Sequence, residues 1–166
     1  PYIKAVAVAA YAPPDREAQL AAYLETAGGD PVTTTRLRDD LKKMIPGYMI
    51  PSRFILMEAL PRKANGKIDR NALPAPGRQR PPLANPYEPP RTELENLLAD
   101  IWADVLDIDE VGIFDHFLEL GGDSLLAVEM EMKLEREFDN IGPVSRFLQV
   151  STIAQMAEMI ATPERL

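Results

Sequence analysis

The stretch ELGGDSLLAVEM, Glu119–Met130, sets two glycines and an aspartate before a serine, and Ser124 opens an apolar run with helical spacing. A side chain there sits at a helix N-terminus, where unpaired N–H groups and the helix dipole favour a negative group. A phosphate ester on the Ser124 oxygen is well placed in that setting. Gly121 and Gly122 leave the backbone uncluttered for the approach of a large enzyme, and Asp123 adds a carboxylate beside the hydroxyl. The plainer reading of a serine before a helix is an N-cap. A serine hydrolase is disfavoured: His116 is the one histidine, it has no evident third partner, and the G-x-S-x-G elbow is absent. The chain has no cysteine, so it has no thiol of its own.

The sequence around this stretch reads as helical from Arg91 onward. Thr92 and Glu95 form a capping box, and Leu94, Leu97, Leu98, Ile101, Trp102, Val105 and Leu106 follow at helical spacing. A long loop, 107–123, carries Val111, Ile113, Phe114, Phe117 and Leu118 as apolar anchors. The helix from Ser124 ends near Phe138, a short helix is expected around 143–148 after Gly142-Pro143, and Thr152 with Gln155 caps a last one. Ile153, Met156, Ala157 and Ile160 share a face of that last helix. Four helices make a small all-α bundle.

The Ser124 helix is two-sided. Ala127, Met130, Leu134 and Phe138 share one face, and Leu125, Val128 and Met132 lie nearly opposite. The second stripe is either covered by the 107–123 loop, with Leu125 the first to be buried, or left exposed for partners.

Before Arg91 the pattern changes. Leu73–Pro90 holds seven of the chain's sixteen prolines and reads as an extended, stiff linker. Upstream, Tyr2–Tyr11, AQLAAYLET (18–26) and SRFILMEAL (52–60) read as strands. Leu37, Leu41, Met44 and Ile45 mark a helix stopped by Pro46-Gly47, and Asn65-Gly66 a tight turn with positive φ. The expectation is a small α+β subdomain, an antiparallel sheet with helices, linked to an all-α four-helix bundle. The expected boundaries are 1–76, a linker over 77–90, and 91–166.

Composition agrees with two units. Residues 1–84 carry 13 Lys/Arg against 8 Asp/Glu, whereas 85–166 carry 5 against 18. The acidic half should repel nucleic acid and membrane surfaces and favour basic partners, although plain solubility explains the charge equally well. Hydrophobic residues at 46% and charged residues at 27% mark a globular chain. No apolar run approaches the ~20 residues of a membrane helix, and no signal segment opens the chain, so a cytoplasmic location is the default. A His/Cys zinc site is excluded by composition. A start at Pro1, directly in an apolar run, suggests a piece of something longer.

DHFLELGGDSLLAVEM (115–130) resembles the phosphopantetheine attachment motif of peptidyl carrier proteins from nonribosomal peptide synthetases, and the likeness extends over 91–162. The resemblance implies that Ser124 carries phosphopantetheine through a phosphodiester, framed by Gly122, Asp123 and Leu125. A phosphopantetheinyl transferase using coenzyme A and magnesium would install it, and the missing thiol would arrive with it. Val128, Val144 and Leu148 would form the docking face for partners. These are a condensation, epimerisation, thioesterase or reductase domain, and the GGDS form is seen in some carriers that precede epimerisation domains. FDNIGPVSRFLQVSTI (138–153) departs from the pattern: it is one residue shorter, and Ser151 stands where proline is common.

IPGYMIPSRFILMEALPRKANGKIDRNALPAP (45–76) resembles the end of the adenylation domain's small C-terminal subdomain. This implies that Lys67 reaches the active site during adenylation, where an ammonium neutralises the substrate carboxylate and the charge developing on the α-phosphate. Leu73, Pro74 and Pro76 of LPAP would dock the start of the linker on this mobile subdomain. The large adenylation core, which binds ATP and magnesium, lies outside this sequence, so the fragment is not expected to be catalytic alone. The whole reads as a monomeric module that holds aminoacyl or peptidyl thioesters. The alternatives are the adenylating part of an enzyme complete only with its core, or a carrier of a carboxylic acid reductase or polyketide hybrid line.

Overall fold

The computed structural model describes residues 2–13, 16–29, 31–138 and 151–162. The short helix expected around 143–148, and with it Val144 and Leu148, lies outside the described residues. Two compact units are present: 1–77 with 81–84, and 78–80 with 85–166.

The first unit is built on three strands, β1 (Ile3–Tyr11), β2 (Gln19–Thr26) and β3 (Arg53–Met57), in the order β1-β2-β3. β1 and β2 pair antiparallel, Val8 opposite Ala22, as a hairpin connection dictates. β2 and β3 pair parallel, Tyr23 opposite Ile55, so the sheet is mixed and the expected antiparallel sheet is corrected. The reason lies in the connection, because a helix, α1 (Thr34–Lys42), intervenes between β2 and β3 and a helical crossover returns the chain in the same direction.

Thr33 caps α1 by accepting the Arg36 N–H at 3.2 Å. The helix ends at Lys43, short of Pro46, because a residue before proline is disfavoured in the α region. Met44 therefore leaves the apolar face and is exposed. Leu37 packs with Ala22, Leu24, Val32 and Phe54 on one side of the sheet, and Ala7, Ala21, Tyr23 and Leu60 fill the other. Arg38, nearly buried, donates to the carbonyls of Pro51 and Ser52 and so ties α1 to the entry of β3.

The second unit contains three helices among the described residues: α2 (Glu93–Leu106), α3 (Ser124–Glu137) and α4 (Ile153–Ala161). The capping box forms as its residues require: Thr92 accepts the Glu95 N–H and Glu95 accepts the Thr92 N–H. Leu98, Trp102, Val105 and Leu106 are buried, as are Ala127, Met130 and Leu134 of α3 and Ile153 and Met156 of α4. In the 107–123 loop Val111, Ile113 and Phe117 are anchors, but Phe114 and Leu118 are exposed; Ile108 and Leu120 take their place inside. A loop has no fixed period, so apolar identity alone does not say which side chain turns inward.

Candidate functional site: Ser124 and the loop that presents it

α3 begins at Ser124, and the residue that caps it is Asp123. Asp123 is extended, with φ −141°, and its carboxylate accepts the Leu126 N–H at 2.8 Å. This overturns the plain reading of Ser124 as the cap. A carboxylate is the stronger acceptor beside the positive end of the helix dipole, and it occupies the capping position first. Ser124 follows as an exposed residue of the first turn, and its hydroxyl has no hydrogen-bond partner among the described residues.

The glycines before it serve packing. Gly121 adopts φ +102°, which favours glycine. Gly122 is buried, and its N–H donates to the Phe117 carbonyl at 2.9 Å. A Cβ on Gly122 would lie 2.3 Å from Cδ1 and 2.6 Å from the carbonyl oxygen of Phe117. The Phe117 ring in turn meets Trp102 edge-on, with centroids 5.1 Å apart. The absence of a Cβ at Gly122 thus admits the Phe117 ring, where an open path for an enzyme was expected.

Further up the loop, Asp115 has none of its surface exposed and is fully engaged. Arg80 grips it through Nε at 2.7 Å and Nη2 at 2.6 Å, Asn85 donates at 2.8 Å, and the Gly112 N–H donates at 2.8 Å. The hydrogen bond to Asp115 raises the Arg80 pKa against the opposing effect of burial. No sequence signal marks this pair, because 35 residues separate its members.

Around Ser124 the α3 surface is apolar. Leu125 is 61% exposed, Val128 50% and Met132 52%, so the loop does not cover the second stripe. Leu125, which would have been the first buried had the loop covered the stripe, is the most open of the three. Ala127, Met130 and Leu134 supply the face that enters the core.

Lys67 stands in the first unit, exposed, in a tight turn closed by the Gly66 N–H to the Lys63 carbonyl and the Lys63 N–H to the Lys67 carbonyl, both 2.8 Å. Only Gly66 takes positive φ, +82°; Asn65 instead accepts the Lys67 N–H on its side chain at 3.1 Å. An Asx contact of this kind holds the turn without a left-handed Asn. Leu73 packs partly buried against the Tyr23 face of the sheet, the Tyr23 hydroxyl donates to the Pro74 carbonyl at 2.6 Å, and Pro76 is half-buried. Burial raises the Tyr23 pKa, with the Tyr11 hydroxyl adding to it.

The chemistry available at Ser124 is that of a free, outward hydroxyl on a helix N-terminus with apolar neighbours. Those features fit a phosphate-linked arm: the oxygen is open to modification and the first-turn amides favour the ester's charge.

Residues 96–160 match the family described as the phosphopantetheine attachment site. The chain is 43% identical over 155 residues to one of the linear gramicidin synthase proteins of Brevibacillus parabrevis, covering 93% of this chain and 2% of that protein. It is 39% identical over 163 residues to tyrocidine synthase 3 of the same organism, covering 98% of this chain and 2% of that one. It thus spans about one-fiftieth of the length of these curated relatives. Among solved structures, a holo nonribosomal peptide synthetase protein containing adenylation and PCP domains aligns with a TM-score of 0.60 at 24% identity. That alignment covers 98% of this chain and 24% of the other, and the likeness is one of fold. Residues 96–160 thus belong to the phosphopantetheine attachment family, and over 93–98% of its length the chain is similar to linear gramicidin and tyrocidine synthases.

Proposed function

We propose that the second unit is a peptidyl carrier whose Ser124 oxygen bears the phosphopantetheine, and that the first unit is the C-terminal subdomain of an adenylation domain. The observation that carries this reading is the division of labour between neighbours: Asp123 caps α3, which leaves the Ser124 hydroxyl exposed and without a partner among the described residues. Phosphopantetheine, when bound, supplies the thiol that this cysteine-free chain lacks. Ser124 fixes the arm's root, the first-turn amides favour its phosphate, and Gly122 and Phe117 hold the loop beneath it. Leu125 and Val128 offer apolar surface beside the root for the partners that load and unload the arm. Boundaries at 76 and 91, with a linker over 77–90, complete this reading.

Lys67 suits the adenylation role because its ammonium is exposed on a turn braced by backbone hydrogen bonds. ATP and magnesium then belong to the adenylation core. The partners are that core, a phosphopantetheinyl transferase and a downstream condensation, epimerisation, thioesterase or reductase domain.

Intact mass after incubation with coenzyme A, magnesium and a broad-specificity phosphopantetheinyl transferase tests the assignment, beside a Ser124→Ala control. A gain of one phosphopantetheine that the control lacks is expected. A folded chain that gains nothing overturns the carrier reading.

A further inference from the structure

Part of the proline-rich segment, residues 78–80 and 85–90, packs as part of the second unit. Four of its residues fasten to the loop that leads to Ser124. The Arg78 carbonyl accepts the Asp109 N–H at 2.7 Å, and its guanidinium lies 3.4 Å from Asp107 and 3.2 Å from Asp109. Arg80 and Asn85 hold Asp115. The Glu88 carbonyl accepts the Ile113 N–H at 2.9 Å. The exposed pairs of Arg78 count for little, but the Arg80 pair is different in kind. A fork of two short bonds to a carboxylate with no exposed surface fixes both direction and distance. Tyr87 lies under the same guanidinium, 5.7 Å from its ring centre.

We propose that Arg80 is a positioning residue for the modification of Ser124, acting through Asp115 to hold the 107–123 loop in register; this rests on the carrier reading above. The path is continuous. Asp115 accepts the Gly112 N–H, where a Cβ would come within 3.1 Å of both carboxylate oxygens. Two residues on, Phe117 is pinned through its N–H to the Ser151 carbonyl and through its ring to Trp102. Its carbonyl accepts the Gly122 N–H, and the next residue is the α3 cap. Releasing Arg80 frees the buried carboxylate to seek water, which pulls the loop away from this frame.

The test is steady-state loading of the full chain by a phosphopantetheinyl transferase, with the carrier varied to saturation, on the unchanged chain, Arg80→Ala and Arg80→Lys. Lysine keeps a cation beside Asp115 and so protects folding, but loses the fork. We expect kcat to fall for both variants, roughly ten-fold for alanine, because every bound carrier then presents Ser124 out of line. A loss that is only structural scales with the unfolded fraction, read from Trp102 fluorescence, and leaves the kcat of folded molecules unchanged. Parental kcat in folded Arg80→Lys overturns the proposal while leaving the carrier reading intact. Failure of the unchanged chain to load overturns both.

Discussion

Asp123 accepts the Leu126 N–H at 2.8 Å and thereby takes from its neighbour Ser124 the work of starting α3. On the carrier reading proposed above, stability and modification fall to adjacent residues, so mutations should separate them. Asp123→Ala should cost about 1 kcal/mol, as a lost N-cap usually does. Ser124→Ala should change stability by less than about 0.5 kcal/mol while abolishing the mass gain from coenzyme A. Trp102 is the chain's one tryptophan and is buried in the second unit, so its fluorescence during urea unfolding reports that unit alone.

Gly122 makes a sharper prediction. An alanine Cβ there would meet the Phe117 ring at 2.3 Å and, less avoidably, the Phe117 carbonyl oxygen at 2.6 Å. A ring can turn, but the backbone must move, and overpacking of this kind costs about 1–3 kcal/mol. Gly122→Ala should lower the urea midpoint and shift the Trp102 emission, since the Phe117 edge that touches Trp102 is displaced. Unchanged emission would show that the loop absorbs the methyl group without moving Phe117.

Much of this organisation is legible in the sequence where the signal is local. The Thr92–Glu95 capping box, the α2 stripe and the two faces of α3 depend on residues three or four apart, and they stand as expected. What stays hidden depends on distance or on competition. The parallel pairing of β3 follows from the path of α1, which no strand pattern encodes. Asp123 and Ser124 are both good caps by residue type, and the extended backbone at Asp123 is what shows that the carboxylate takes the position. The Arg80–Asp115 fork joins a segment marked by its prolines to a loop marked by its apolar residues, so neither pattern points to the polar pair.

Acid should weaken the second unit through Glu95. Burial of this carboxyl raises its pKa, but the Arg91 N–H and guanidinium and the Thr92 N–H together outweigh burial and hold it below the ordinary glutamate value. A folded-state pKa below the unfolded one contributes stability that is present above the unfolded value and lost as pH falls through the folded one. Glu95→Gln keeps an acceptor without the charge. Between pH 7 and the acid range, the variant should lose less stability than the parent, read as urea midpoints followed by Trp102. Parallel pH curves for the two chains would count against this role.

In the first unit, Lys67 and its turn should separate in the same way. Lys67→Ala removes an exposed side chain and should leave stability within about 0.5 kcal/mol of the parent. Gly66→Ala forces a side chain onto φ +82° and should destabilise the turn by roughly 1 kcal/mol. The fragment alone should give no amino-acid-dependent pyrophosphate exchange. If Lys67 serves adenylation as proposed, the fragment joined to an adenylation core should give exchange that Lys67→Ala lowers strongly, because an ammonium that offsets charge on the α-phosphate would be gone. Exchange by the fragment alone would favour an adenylating enzyme in its own right.

The α3 surface yields the last prediction, and its control is built into the helix. Val128 and Leu134 lie on one helix, yet Val128 is half exposed and Leu134 is fully buried. Val128→Glu places a charge in water at little cost and should leave helical content and the Trp102 transition unchanged. Leu134→Ala opens a cavity in the core and should cost about 2–5 kcal/mol. If the exposed stripe beside Ser124 is where partners dock, Val128→Glu should slow transfer of the aminoacyl group to a downstream domain, although the arm still loads. Leu134→Ala should slow transfer only in step with its unfolded fraction. A charged Val128 that transfers at the parental rate would move the docking face off this stripe, and loss of helical signal on that change would place Val128 in the core.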